Sequence, residues 1–237
     1  MPEWNGWHNT GKDMAIPPPP GTVQKKKGMG CLGCGCLILG LLALLFIALV
    51  GGILYVGSSN LTSLTSATPT DVPSFDGGDD VYNATRQKII DFQHDLKNSQ
   101  AATLTLSADE INTLIAHSPD IAAAKVRVFV SMSGDQARVQ FCAPTDALSG
   151  GMLKGRYLTG DVSFGLNFDP AAKTLDMKFQ NLQFGNRTIP QNYLPVAEAE
   201  VNPALNQTLQ KTDDGRNLVN NAKSIEIKDG QLVIETQ

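Results

Sequence analysis

The segment Lys125–Phe141 reads KVRVFVSMSGDQARVQF, and its regular alternation predicts β-structure. Apolar residues occupy every second position in both halves, and polar residues fill most of the positions between them. This period of two is typical of strands, because successive side chains point to opposite faces of a sheet. The dipeptide Gly134-Asp135 separates the halves and predicts a turn. The segment therefore predicts an antiparallel hairpin with one buried face and one face in water.

Two further hairpins are predicted downstream. A strand at Lys154–Phe168 and a strand at Leu175–Phe184 show the same alternation on either side of a short turn. The apolar parity shifts within the second of these strands, which predicts a β-bulge near Asn181. Near the C-terminus, Asp229-Gly230 separates two more alternating runs, and Asp-Gly in this setting is a strong hairpin signal.

Helical patterns lie before and after these strands. Apolar residues at helical spacing predict a helix at Val81–Lys97, and the capping box Ser107–Glu110 predicts the start of a second helix. A third helix is predicted at Asn192–Lys211, where Pro203 should kink or split it. Antiparallel strands in consecutive order, with helices grouped on either side, predict an α+β domain with one curved, mainly antiparallel sheet packed by helices.

An uncharged apolar run precedes this domain. Leu37–Val56 reads LILGLLALLFIALVGGILYV. About 20 such residues, each rising 1.5 Å, cross a hydrocarbon core of roughly 30 Å, so we predict a transmembrane helix at residues 37–57. A cleaved signal peptide is the alternative. Its apolar region usually spans only about 7–15 residues, which favours a retained single-pass anchor.

The charges beside this run predict its orientation. Lys25, Lys26 and Lys27 precede it, whereas the first charge after it is Asp71. Because basic residues are retained on the cytoplasmic side, we predict a plasma (inner) membrane protein whose Pro-rich, basic tail, residues 1–36, is cytoplasmic. The polar segment 58–80 is predicted to be a flexible linker, and 81–237 an extracytoplasmic domain.

The charge balance excludes one class of partner. The chain up to Gly57 carries four basic and two acidic residues, and the remainder carries 15 basic and 21 acidic residues, a net charge of −6. Nucleic-acid binding depends on neutralising phosphates with basic side chains. We therefore predict that the outer domain does not bind nucleic acid, and that the lipid bilayer is a partner through the anchor.

Three of the four cysteines lie at the predicted membrane mouth, as Cys31, Cys34 and Cys36. A closed zinc site needs four ligands, and the only histidine on that side, His8, lies far along the tail. Acylation and close helix packing remain open for these cysteines. Cys142 is the only cysteine of the outer domain, which excludes an internal disulfide there. We predict no metal and no cofactor.

A short motif carries a family resemblance. Ser107–Ile115 reads SADEINTLI, and it is followed by Phe168-Asp-Pro170, the strand Leu175–Phe184 and Tyr193-Leu194. Together with a single span and a linker, this order resembles the YpmS-like family of small bacterial membrane-anchored proteins. The resemblance implies a bacterial, surface-facing domain of similar topology. It implies no catalytic residues.

The search for catalytic residues yields few candidates. In the predicted extracytoplasmic domain the histidines are His94 and His117, and the thiol is Cys142. His117 is expected to end a helix, where a cation is favoured, and Cys142 is expected to be a buried thiol on a strand. We predict that the chain is not an enzyme, with a thiol or hydrolytic enzyme as the lesser alternative.

Two arginines stand close to glycines at predicted strand ends. Arg156 and Tyr157 follow Gly155, and Arg187 lies two residues after Gly185. Such guanidinium groups would bind an anionic headgroup or a partner carboxylate, although a surface ion pair is the simpler explanation. We predict a binding module for an envelope component, a lipid or an apolar ligand, with Arg156, Tyr157 and Arg187 as candidates. The alternative is an assembly or scaffold subunit of a membrane protein complex.

Overall fold

The structure of the 237-residue chain is a computed structural model, and it describes residues 64–146 and 153–237. The predicted cytoplasmic tail, with its lysines and cysteines, and the predicted span at 37–57 lie outside the described residues. None of the helices in the two described ranges is long and apolar enough to cross a membrane.

The described residues form nine strands and five α-helices, which confirms the predicted α+β class. In chain order the elements are β1 (Thr65–Ser66), α1 (Gly78–Lys97), β2 (Thr103–Ser107), α2 (Ala108–Ala116), α3 (Pro119–Ala124), β3 (Arg127–Ser133), β4 (Gln136–Pro144), β5 (Tyr157–Asp169), β6 (Thr174–Phe184), β7 (Arg187–Thr188), α4 (Leu194–Lys211), α5 (Asp213–Asn221), β8 (Ala222–Lys228) and β9 (Gln231–Thr236). A single 3₁₀ turn, Gln191–Tyr193, precedes α4.

The predicted antiparallel pairing is confirmed, but the strands form two sheets where one was predicted. The larger sheet has the order β3-β4-β5-β6-β7, with β1 paired to β5, and the smaller sheet has the order β2-β9-β8. Side chains from helices already bond the outer edges of β3 and β6, as described below. The C-terminal hairpin pairs with β2 in the smaller sheet.

The three predicted hairpins and the bulge are confirmed. The β3–β4, β5–β6 and β8–β9 pairs are all antiparallel. Between β5 and β6 the register changes from Ser163 opposite Asn181 to Phe164 opposite Phe179, so one extra residue lies in β6. In the β8–β9 turn, Asp229 has φ +52° and Gly230 has φ +73°, the left-handed pair that a tight hairpin turn requires.

One continuous core packs the strands and helices together. Its members include Val162 on β5, Met177 on β6 and Leu205 on α4, all almost fully buried. Phe141 of β4 packs directly over Gly160 of β5, and a methyl group at position 160 would overlap its ring. The apolar side chains of β4 are part of this core, which confirms the predicted buried face of the hairpin.

Some helix boundaries differ from the predictions. The capping box that begins α2 is present, with hydrogen bonds in both directions between Ser107 and Glu110. Helix α1 begins at Gly78, earlier than predicted. Helix α4 continues through Pro203 and is not split. The carbonyl that Pro203 leaves without a helical partner belongs to Ala199, an exposed residue, so water can satisfy it.

Candidate functional site

The predicted flexible linker, residues 58–80, joins the folded domain already at Leu64. Thr65 and Ser66 form β1, opposite Leu158 and Tyr157 of β5. The side chain of Leu64 is only 9% exposed. This difference from the prediction has a simple cause, because burying a leucine side chain contributes about 1.5–3 kcal/mol and helps to order a short stretch of polar chain.

Arg156 holds this strand in place. Its Nε donates to Thr65 Oγ1 and its Nη2 donates to the Thr65 carbonyl, both at 2.6 Å. Tyr157 is half-buried at the start of β5, between Pro144 of β4 and Ser66 of β1. The structure therefore places these two predicted binding residues against the protein's own chain, where Arg156 fixes the point at which the chain joins the domain.

Arg187 lies on the short outer strand β7 and is exposed. It is opposite Phe184 of β6, which in turn is opposite Gly160 of β5. Arg187 and Tyr157 therefore lie toward the same end of the larger sheet, two strand spacings or roughly 10 Å apart across it. The structure brings the three predicted residues to one end of the sheet without joining them in one site.

The chain from Gly185 to Ala197, reading GNRTIPQNYLPVA, forms an exposed segment at this end. Arg187 is its only charged residue. Tyr193 is 56% exposed and Val196 is 53% exposed, and within the described residues only Phe75, at 39%, joins them as an exposed large apolar side chain. Sequence reasoning did not single out Tyr193 and Val196 as surface residues, although both lie outside the face of this helix that helical spacing turns inward.

Hydrogen bonds fix the backbone of the exposed segment. The Gly185 N–H donates to the Thr159 carbonyl at 2.9 Å, and the Ile189 N–H donates to the Leu182 carbonyl at 2.8 Å. The buried side chain of Leu194 anchors the other end. The backbone that carries Tyr193 and Val196 is thus attached to the domain on both sides, and such attachment reduces the entropy that is lost when a partner binds.

Helix α4 determines where this segment lies, because its side chains bond the outer edge of β6. Asn206 accepts from the Leu175 N–H at 2.8 Å and donates to the Leu175 carbonyl at 2.9 Å. Asn202 likewise accepts from the Met177 N–H at 2.9 Å and donates to the Met177 carbonyl at 3.2 Å. One turn earlier in the helix, Glu198 Oε1 accepts a hydrogen bond from the Phe179 N–H at 2.9 Å.

The spacing of these bonds follows from elementary geometry. Four helix residues rise about 6 Å and two strand residues rise about 6.6 Å, so every fourth side chain of α4 meets every second residue of β6. The helix runs antiparallel to the strand, since Asn206 meets Leu175 and Glu198 meets Phe179. Its first turn therefore lies at the C-terminal end of β6, beside β7.

One side chain bonds the opposite edge of the same sheet. Asn112 of α2, only 3% exposed, donates to the Val130 carbonyl at 2.7 Å and accepts from the Val130 N–H at 2.8 Å. The sequence held a signal for this role that went unused. Asn112 lies between Ile111 and Leu114 on a short amphipathic helix, where a buried amide must find partners.

The water-facing side of the larger sheet carries a charged cluster. Arg138 donates from Nε and Nη2 to the two carboxylate oxygens of Asp161, and Gln140 donates to the same carboxylate at 3.2 Å. The Arg138 guanidinium lowers the pKa of Asp161 below its usual value. Each group has a partner within the cluster, so we interpret the cluster as a surface ion pair that joins β4 to β5.

The histidine and thiol candidates lie in separate surroundings. His117 ends α2, as predicted, where its Nε2 is 3.1 Å from Asp76 Oδ1 and its ring stacks on Tyr82 at 4.5 Å. A hydrogen bond from the Gly78 N–H lowers the pKa of Asp76, and the neighbouring His117 lowers it further. Cys142 is buried, as predicted, with Arg127 Nη2 3.6 Å from its sulfur. The other histidine, His94, is exposed on α1.

Grouped metal ligands are lacking in the same part of the chain. Among residues 64–146 and 153–237, no three His, Cys, Asp or Glu side chains are grouped so that they could hold a metal ion. The cysteines Cys31, Cys34 and Cys36 lie outside this part, so their role stays a prediction.

Comparison of the chain with protein families, with characterised proteins and with solved structures found no match. The resemblance to the YpmS-like family therefore stays a prediction.

Proposed function

We propose that the chain is a membrane-anchored, extracytoplasmic binding module, and that the exposed segment 185–197 contacts an envelope component. The observation that carries the proposal is the exposure of both Tyr193 and Val196 in a stretch of chain whose single charged residue is the cation Arg187. Tyrosine combines a large apolar ring with a polar tip and suits partners that are partly apolar and partly wet. Grouped apolar exposure of this kind is typical of interaction sites.

Several polar groups of the domain have structural partners. Glu198, Asn202 and Asn206 bond the β6 backbone, Arg156 bonds Thr65, and His117 lies within hydrogen-bond distance of Asp76. The bonds to β6 and to Thr65 give four of these side chains a structural role, so we propose binding and assign none of the four to catalysis.

The three predicted binding residues divide into different roles under this proposal. Arg187 remains the cation of the binding surface, because it is exposed on the outermost strand. Arg156 becomes a positioning residue, because it holds β1 beside β5. Tyr157 packs between β4 and β1, and Tyr193 takes its place as the exposed aromatic residue of the surface.

Photo-crosslinking in native membranes tests the proposal. A photoreactive amino acid replaces Tyr193 in the full-length chain, and the matched control carries it at Ala171, an exposed residue in the β5–β6 turn at the other end of the sheet. We expect position 193 to form a defined lipid or protein adduct that position 171 does not form. Equal labelling at both positions, or labelling at neither, would overturn the proposal.

A further inference from the structure

The distance between the predicted anchor and the domain is short. The predicted span ends at Gly57, and Leu64 is already buried in the fold. Seven residues of fully extended chain reach at most about 25 Å. A flexible linker over the whole of 58–80 would have allowed the domain to move farther from the membrane, but Thr65 and Ser66 are paired to β5. The point at which the chain joins the domain therefore lies within about 25 Å of the predicted span.

The exposed segment begins beside this joining point. Thr65 is opposite Leu158 of β5, and the Gly185 N–H is bonded to the next residue, Thr159, at 2.9 Å. Neighbouring residues of a strand lie about 3.3 Å apart. The start of the segment is thus adjacent to the place from which the chain leads back to the membrane, and Arg156 holds that place through Thr65.

The exposed segment differs in charge from residues 58–237 as a whole. Residues 58–237 carry a net charge of −6, yet the exposed segment has no carboxylate. Asp71, which follows β1 in the chain, lies 3.6 Å from the Arg127 guanidinium and is balanced by it. An acidic domain held close to an anionic surface is repelled least when a segment without carboxylates faces that surface.

Resting on the proposed function, we infer that the exposed segment binds the headgroup layer of the same bilayer that anchors the chain. The Tyr193 ring lies at the boundary between acyl chains and headgroups, where aromatic residues are enriched. Val196 adds apolar contact beside it, and the Arg187 guanidinium bonds lipid phosphates. The domain then lies on the membrane in one orientation, with its β5–β6 turn pointing away.

Fluorescence quenching by brominated lipids tests this inference on the purified full-length chain. Trp4 and Trp7, the two tryptophans of the chain, are first replaced by phenylalanine, and single tryptophans are then placed as Tyr193→Trp and Ala171→Trp. The register of α4 on β6 places the start of the helix near Asn181, so Tyr193 lies roughly 23 Å along the strand from the β5–β6 turn that carries Ala171. We expect brominated phosphatidylcholine vesicles to quench the tryptophan at 193 several-fold more strongly than the one at 171.

The contribution of the cation is measured in the same system. In vesicles that contain anionic phosphatidylglycerol, Arg187→Gln should lower the ratio of docked to undocked domain about fivefold, and in neutral vesicles it should change little. Lys173→Gln, which removes an exposed cation from the far turn, is the matched control and should have no effect.

The outcomes separate this inference from the proposed function. Equal quenching at positions 193 and 171 in vesicles overturns the inference. If position 193 nevertheless crosslinks to one protein in native membranes, the binding function stands with a protein partner. A crosslink between two copies of the chain would identify the segment as a self-association surface, which also overturns the lipid assignment.

Discussion

The outer edge of β6 and the nearby end of the same sheet are built differently, although helix α4 borders both. Along the edge, Asn202 and Asn206 bond the backbone of Met177 and Leu175. We call such an edge, whose backbone groups are bonded by helix side chains, a sealed edge. At the exposed end, Tyr193 and Val196 face water. One helix therefore seals the edge with its later turns and presents the exposed segment at its start.

This difference shows how side chains of the helices bond backbone groups at the edges of the sheet. Unpaired backbone groups at a sheet edge invite pairing with another chain, and the asparagine side chains of α4 and α2 occupy them. The sheet can therefore offer its end as a surface without offering an edge for aggregation. The following predictions test whether the sealed edges determine stability and the exposed end determines binding.

The largest effect is expected at Asn112. Asn112→Ala removes both hydrogen bonds to Val130 and leaves two buried backbone groups without partners, so we expect a loss of about 2–4 kcal/mol in the free energy of unfolding. Urea denaturation of residues 58–237 measures it. Asn192→Ala, at an exposed position, is the control and should change the unfolding free energy by less than about 0.5 kcal/mol. Equal effects of the two variants would contradict the role of Asn112.

A smaller loss is expected at the other sealed edge. Asn206→Ala removes two hydrogen bonds to the Leu175 backbone that are only partly buried, so we expect a loss of about 1–2 kcal/mol. Amide hydrogen exchange should also accelerate at Leu175 before it does so at the β8–β9 hairpin. A uniform acceleration throughout the domain would show that the bonds support the whole fold and do not seal this edge in particular.

The charged cluster on the water-facing side gives a pH-dependent effect. The pKa of Asp161 is lower in the folded state because of Arg138, so its stabilising contribution is present above the unfolded value of about 3.9 and is lost as the pH falls through the folded pKa. Asp161→Asn should cost about 0.2–1 kcal/mol at pH 7, since Arg138 is half-exposed.

The effect of Asp161→Asn should itself depend on pH. The difference between Asp161→Asn and the unchanged protein should shrink as the pH is lowered from about 5 toward about 2, because the protonated carboxyl no longer attracts Arg138. Thermal unfolding at a series of pH values measures this difference. A constant difference over the whole range would mean that the carboxylate charge does not matter, and that the hydrogen bonds alone account for the cluster.

The smallest effect on stability is expected at the exposed end. Tyr193→Ser combined with Val196→Ser should change the free energy of unfolding by less than about 0.5 kcal/mol, because both side chains already face water. The same double variant should lose the lipid contact of the full-length chain. A loss of stability comparable to that of Asn112→Ala would show that these side chains belong to the core, and would remove the contrast between the two regions.

Local patterns made much of the fold predictable. The β3–β4 hairpin followed from the alternation in Lys125–Phe141, and the start of α2 followed from the capping box, because each depends on residues only a few positions apart. The bonds from α4 to β6 could not be predicted in this way. Asn202 and Met177 are 25 residues apart in sequence, and nothing in the sequence around either residue identifies the other.

The candidate site was predictable only in part. Arg187 was identified from its place near a glycine at a strand end, and it lies on the exposed segment. Arg156 shared the same local sequence features, but in the structure it bonds Thr65, a residue 91 positions earlier that the sequence had placed in the linker. The exposure of Tyr193 depends on where α4 packs, which in turn depends on Asn202 and Asn206 meeting β6.

Side-chain period and composition are properties of short stretches of chain, so they were enough to predict the α+β class, the hairpins, the bulge and the unequal distribution of charge. The packing of distant elements settled the rest: the strands form two sheets, the chain joins the domain at Leu64, and Tyr193 and Val196 remain in water. Burial depends on which distant elements cover a residue, and that is settled when the chain packs, since a side chain is removed from water only by neighbours that the fold brings to it.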